Sequence, residues 1–180
     1  MNVLIVGEIG IGKSTLINEL LQNVRQPVFG FRTEKTKWDA SGNTKVHIHP
    51  ASGEKIYSDE NVVGVGTSKD AQACVDVFDT LGVRLLTNIP AESVVLMDEL
   101  GFIESNAPIF CNAVTRILDG SHFALAAVKT KSTPFLEKVR SHQDALVYTI
   151  TIDNRDSLYE QILYDLSRLD STSPFLPLKR

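Results

Sequence analysis

Apolar positions along this chain fall into two rhythms. Asn2–Val6 is a short unbroken apolar run stopped by Gly7, the pattern of a buried strand. From Lys13 onward the apolar residues are Leu16, Ile17, Leu20, Leu21 and Val24, which is one face of a helix. The two rhythms then alternate. Buried strands are predicted at Ser93–Met97, Phe123–Val128 and Ala145–Ile152. Helical stripes are predicted at Cys74, Val77, Phe78, Leu81 and Leu85, and at Ile109, Ala113, Val114, Ile117 and Leu118 with Gly120 just past the end. A last stripe comprises Leu158, Tyr159, Ile162, Leu163 and Leu166. Thr67 or Ser68 is placed to cap the second helix, with Asp70 in its first turn. Thr133-Pro134 opens a short helix, with proline in the first turn.

Residues 28–57 differ. Three extended runs, about Val28–Lys37, Asn43–His49 and Glu54–Tyr57, are separated by the turn-rich strings DASGN and HPASG, which predicts a β-meander. Strands alternating with helices predict an α/β fold with a mostly parallel sheet and helices on both faces. The meander is then an insertion after the first helix that extends the sheet or covers one edge. There is no internal repeat, low-complexity segment or linker, so residues 1–180 are expected to form one domain. The tail STSPFLPLKR carries two prolines and is expected to lie extended.

Composition narrows the classes. The length of 180 residues suits one sizeable core, and 43% apolar with 22% charged residues is ordinary for a globular protein. A net charge of −4 gives no support for nucleic-acid binding. The two cysteines, Cys74 and Cys111, lie within apolar helical patterns and fit a reducing compartment. No leader pattern and no bilayer-length apolar run is present, so the expectation is a cytoplasmic protein with no membrane partner.

The string GEIGIGKS at Gly7–Ser14 carries the chemistry. Gly7, Gly12, Lys13 and Ser14 match the Walker A pattern, between a predicted strand and a predicted helix. Gly7, Glu8, Ile9, Gly10, Ile11 and Gly12 then turn backbone N–H groups inward around phosphate oxygens, with Thr15 on the opening turn of the helix. Lys13 is expected to reach the β- and γ-phosphates, and the Ser14 hydroxyl to ligate Mg²⁺. The positive helix end adds to the cradle. The fold expected is therefore a P-loop NTPase, Rossmann-like, α/β architecture.

VVLMDELG at Val94–Gly101 is the second informative stretch. An apolar strand ends at Met97, and carboxyl ends of parallel strands line the ligand crevice. Asp98 is thus placed as a Walker B aspartate holding Mg²⁺, often through water. Glu99 can accept a proton from a water attacking the γ-phosphate.

With these residues in hand, the chain resembles the small P-loop nucleoside-triphosphatase family, which includes thermophile-type NTPases and cancer-related NTPase relatives. The resemblance covers most of the chain. It runs through the Walker A loop, GFRTE at Gly30–Glu34, MDELGFIES at Met97–Ser105, KTKSTPFLEKVR at Lys129–Arg140 and IDNRDSL at Ile152–Leu158. It implies slow, Mg²⁺-dependent hydrolysis of ATP, GTP or another nucleoside triphosphate with broad base tolerance, and assigns Lys13, Ser14, Asp98 and Glu99 the roles above. The chain departs from the family where Lys37 stands in place of a usual arginine, and where NTKVHIHPASG replaces a glycine-bounded second strand. Lysine there offers a point charge rather than a planar fork.

Other residues invite weighing. His47 and His49 alternate along a strand and are expected on a solvated face, since no Cys/His cluster of metal-ligand spacing accompanies them. Lys35, Lys37, Lys45 and Lys55 either wall an anionic ligand or, as favoured, protect an edge strand. Arg155 lies at a strand end near the crevice. It either stacks on a base, or is solvated beside an Asn154 cap. Arg116 and Arg140 are both candidates for a transition-state arginine, and Trp38 is expected to be structural.

The function expected is a Mg²⁺-dependent nucleoside-triphosphatase yielding diphosphate and phosphate, with Lys13 and Glu99 catalytic. The alternatives are a nucleotide or nucleoside kinase and a nucleotide-binding switch with little turnover. A kinase usually needs an arginine-bearing lid, and no insertion with paired arginines is visible. Protein partners are not named by the sequence.

Overall fold

The structure is a computed structural model and describes residues 1–37, 43–67, 72–169 and 174. Its strands are β1 (Asn2–Val6), β2 (Val28–Lys37), β3 (Thr44–Pro50), β4 (Val62–Gly66), β5 (Gln72–Ala73), β6 (Val94–Leu100), β7 (Phe123–Val128) and β8 (Ala145–Thr149). Its helices are α1 (Lys13–Leu21), α2 (Val75–Val77), α3 (Val83–Leu85), α4 (Pro108–Asp119), α5 (Pro134–Arg140) and α6 (Arg155–Leu169), with a π-helical turn at Phe78–Gly82 joining α2 to α3.

Among the described residues these eight strands form one sheet in the order β5-β4-β3-β2-β6-β7-β1-β8. Strands β2, β6, β7, β1 and β8 pair in parallel, and β2-β3-β4-β5 pair antiparallel. The α/β, mostly parallel architecture is as the alternating pattern predicts. The unbroken apolar runs of β1 and β7 are interior strands because both of their faces are covered. Alternation along β1 divides the core. Leu4 and Val6 join Phe31, Phe78 and Phe110 beneath α2 to α5, while Val3 and Ile5 join Leu16, Ile17 and Ile162 beneath α1 and α6.

The meander extends the sheet, but its third strand is misplaced by the sequence reading. Glu54–Tyr57 is not a strand; β4 at Val62–Gly66 takes that position and β5 completes the edge. Residues 54–57 pair with no strand among the described residues, whereas Val62 and Val63 are buried against the core. Strand β6 runs past Met97 to Leu100, and β8 stops at Thr149 rather than Ile152. Helix α2 starts at Val75, because β5 intervenes after Thr67, so Thr67 is no cap. Ser68 and Asp70 lie outside the described residues, as do Trp38 and all of the tail except Pro174. Thr133 does cap α5, accepting from Leu136 N at 3.1 Å.

Among the described residues no helix is long and apolar enough to cross a membrane.

Candidate functional site

The loop after β1 turns sharply into α1. Gly12 sits at φ 113°, a left-handed conformation that a side chain resists, and it precedes Lys13 at the first helical position. The loop is tied to the sheet by Gly7 N donating to Val128 O at 3.2 Å. Lys13 is only 5% exposed, and its ammonium donates to Gly7 O and Glu8 O, both at 2.8 Å. Its third neighbour is Glu99 Oε1, also at 2.8 Å. Ser14 Oγ donates to Asp98 Oδ1 at 3.0 Å. Thus adjacent residues of the loop meet adjacent carboxylates of β6. Both carboxylates reach the loop although neighbours on a regular strand face opposite ways, because the β6–β7 register is broken between Met97 and Leu100.

A third element completes the group. Parallel pairing of β2 with β6 sets Arg32 opposite Asp98, and Arg32 Nη1 lies 3.3 Å from Asp98 Oδ2. Gly30 allows that close pairing. It has φ 100°, and a Cβ there would overlap the Leu96 carbonyl oxygen of the neighbouring strand. Burial pushes the Asp98 carboxyl above its ordinary value, against the Ser14 hydrogen bond and the Arg32 charge, which lower it. A cation would relieve that burial. The Ser14 hydroxyl and Asp98 carboxylate are hard oxygen donors of the kind Mg²⁺ takes, alongside phosphate oxygens and water. Among the described residues no cluster of three His, Cys, Asp or Glu could hold a metal, so a protein-only metal cage is not formed there.

Behind Glu99, Gly101 N donates to Glu104 Oε2 at 3.0 Å. Glu104 is buried, and burial pushes its carboxyl up to about 7. A cleft of about 210 Å³ opens between the loop and the meander, bordered by Ile9, Thr33, Lys35, Glu99 and Lys129. Lys129 Nζ is 3.6 Å from Glu99 Oε2. On the opposite side of the loop a groove of about 520 Å³ runs along Gly10, Gly12, Thr15, Arg155 and Tyr159. Glu8 has a separate tie, accepting from Thr130 Oγ1 at 2.6 Å.

The structure therefore brings Gly7 to Thr15, Asp98 and Glu99 together, and sets Arg155 along the adjoining groove. Asn154 sits at the start of α6, with Leu158 N donating to its carbonyl at 2.9 Å. Its side chain turns back to Thr151 N and Thr149 O rather than into the helix. Neither proposed transition-state arginine joins the group. Arg140 donates to Lys129 O at 2.6 Å and pairs with Glu137, holding the following loop. Arg116 is exposed in the last turn of α4, which returns toward the amino ends of the strands.

Two further readings are corrected. His47 and His49 are buried, not solvated: the segment before β4 wraps over them. The two ring nitrogens of His47 pair with Asn61 Oδ1 at 2.9 Å and Thr36 Oγ1 at 3.1 Å, and Tyr57 meets both rings edge-on. The lysines do not guard an edge either: Lys35, Lys37 and Lys45 are on the interior strands β2 and β3, and Lys55 is on no strand. Lys45 pairs with Asp59 and Lys55 with Glu34, each at 2.6 Å, and Lys35 borders the cleft.

Sequence reasoning gave no role to Arg32, Glu104 or Lys129. Arg32 and Lys129 follow from strand pairing, which the pattern does not register. Glu104 carried a signal: an acidic residue set in the apolar string GFIESNAPIF.

The family described as NTPase matches residues 2–163. The nucleoside-triphosphatase THEP1 of Thermotoga petrophila is 31% identical over 92% of this chain and 93% of its own. The cancer-related nucleoside-triphosphatase homolog of Mus musculus is 28% identical over 90% of this chain and 94% of its own. The crystal structure of THEP1 from Aquifex aeolicus superposes with a TM-score of 0.72 at 26% identity, covering 93% of this chain and all of that one. With its loop, its paired carboxylates and this extent of likeness, the chain belongs to the NTPase family.

Proposed function

We propose that the chain hydrolyses nucleoside triphosphates to diphosphate and phosphate, with Mg²⁺ and with broad tolerance of the base. The observation that supports this best is the double meeting of Lys13 with Glu99 and Ser14 with Asp98 at 2.8 and 3.0 Å. The loop Gly7–Thr15 cradles the phosphates, with Lys13 on the β- and γ-phosphates. Ser14 and Asp98 would hold Mg²⁺, which would supply charge neutralisation at the phosphate oxygens. Glu99 orients water and takes its proton as the γ-phosphate is attacked. Arg155 lies 54% exposed on the groove beside Thr15, and its planar guanidinium is the group proposed to stack on the base. That contact is sequence-tolerant because every base has a π-face.

A second reading draws on the cleft beside Glu99. It is wider than one water needs, and Lys35 and Lys129 border it, so a small anionic acceptor of the phosphoryl group is the alternative. One experiment separates the readings. Phosphate release is measured with ATP, GTP, CTP and UTP, with and without Mg²⁺, beside mass-spectrometric analysis of products. Diphosphate with stoichiometric free phosphate is expected in the presence of Mg²⁺. A deficit of free phosphate matched by a phosphorylated acceptor would overturn hydrolysis as the reaction.

A further inference from the structure

Lys13 has a conflict to resolve. Its ammonium donates to Gly7 O and Glu8 O at 2.8 Å, and it forms an ion pair with Glu99 Oε1 at 2.8 Å that lacks hydrogen-bond geometry. A γ-phosphate that Lys13 meets competes with Glu99 for the same positive charge. Gly7 and Glu8 are the loop's own backbone, so the partner free to leave is the Glu99 side chain. Once released, that carboxylate faces incoming phosphate charge, which repels it. A base pushed away from the γ-phosphate could not orient water.

We propose that Lys129 is a positioning residue that retains Glu99 when Lys13 transfers to the γ-phosphate. Its ammonium already stands 3.6 Å from Glu99 Oε2, on the carboxylate oxygen that Lys13 does not use. Lys129 is fixed at both ends of its peptide unit. Its N–H donates to Leu100 O at 2.9 Å, and its carbonyl accepts from Arg140 at 2.6 Å. The first bond follows from the parallel pairing that sets Val128 against Leu100, and the second comes from the end of α5. The side chain is 16% exposed and passes over Gly101, where a Cβ would meet Lys129 Cδ at 3.0 Å and Nζ at 3.1 Å. Glycine at 101 therefore gives the lysine its route to Glu99. Lys13 and Lys129 are the two cations within ion-pair distance of Glu99 among the described residues.

The proposal rests on Glu99 acting as the base, and the test separates the two. Steady-state kinetics are run on Lys129→Met, Lys129→Arg, Glu99→Gln and the double variant Lys129→Met/Glu99→Gln, with a fluorescent ATP analogue reporting Mg²⁺-nucleotide affinity. Lys129→Met keeps the stem and removes the charge. It is expected to lower kcat about 10–100-fold with KM and analogue affinity within about threefold, and Lys129→Arg to recover most of the loss. In the Glu99→Gln background the same change should cost nothing further, because the pair acts as a unit. A Lys129→Met kcat within twofold of the parent, or an equal fall in both backgrounds, overturns the proposal and leaves Glu99 as base. A Glu99→Gln enzyme at the parent rate overturns both.

Discussion

Lys13 and Glu99 form an ion pair at 2.8 Å between the Gly7–Thr15 loop and the end of β6, with the lysine 5% and the glutamate 23% exposed. The pair joins residues far apart in the chain. It also sets the ammonium that would meet phosphate against the carboxylate proposed to activate water.

That contact makes Lys13→Ala informative. The variant is expected to lose turnover by about 10²–10³-fold and to bind Mg²⁺-nucleotide weakly, since an oriented charge at the transferring phosphoryl group is removed. Circular dichroism should show the parent fold, because Leu16, Ile17 and Leu20 still bury the face of α1. Parent-like turnover would discard the phosphate-loop assignment.

The two carboxylates should separate in kinetics. Glu99→Gln preserves size and hydrogen bonding but cannot take a proton. It is expected to cut kcat by about 10²–10⁴-fold with near-parent nucleotide binding. Asp98→Asn, facing Ser14 and Arg32, should instead weaken binding and raise the Mg²⁺ concentration needed for half-maximal rate. Metal titrations of both variants give the comparison, and an identical response would show that the carboxylates share one role.

Base selectivity should be shallow. The groove beside Thr15 offers Arg155 as its exposed cation, and no Asn-Lys-x-Asp string is present. ATP and GTP are expected to have kcat/KM values within roughly tenfold, because stacking discriminates little between purines. Arg155→Ala should raise KM more than it lowers kcat. A strict preference for one base would point to groups outside this groove.

Glu104 should make stability depend on pH. Its folded value of about 7 lies above the ordinary 4.5, so the native state binds the proton more tightly than the unfolded chain. The stabilisation is full below about 4.5 and is lost as pH rises toward 7. The loss is on the order of 3 kcal/mol. Glu104→Gln can still accept from Gly101 N but has no proton to lose. Urea unfolding at pH 5 and pH 8 should show the parent weaker at pH 8 and the variant nearly level. A parent with the same stability at both values would contradict the assignment of a neutral Glu104.

Much of this protein was legible in its local patterns. Unbroken apolar runs marked β1, β6 and β7, and the three-and-four spacing marked α1, α4 and α6, because periodicity reports which face each segment buries. The loop Gly7–Thr15 was legible for a similar reason: the phosphate-binding pattern is written in consecutive residues. Asp98 and Glu99 were legible as polar residues ending an apolar strand. Pairing decided the rest. Arg32 reaches Asp98, and Lys129 reaches Glu99, through registers between strands that are distant in sequence. His47 and His49 read as solvent-facing by alternation, yet Asn61 and Tyr57 fold over them from the following segment. The real third meander strand, Val62–Gly66, was chosen by which residues could bond β3 and bury valine together. Local spacing encodes the tendency of a segment to present one face. It does not encode which neighbour covers that face, because that choice is a competition among all segments for the same hydrogen bonds and the same buried space.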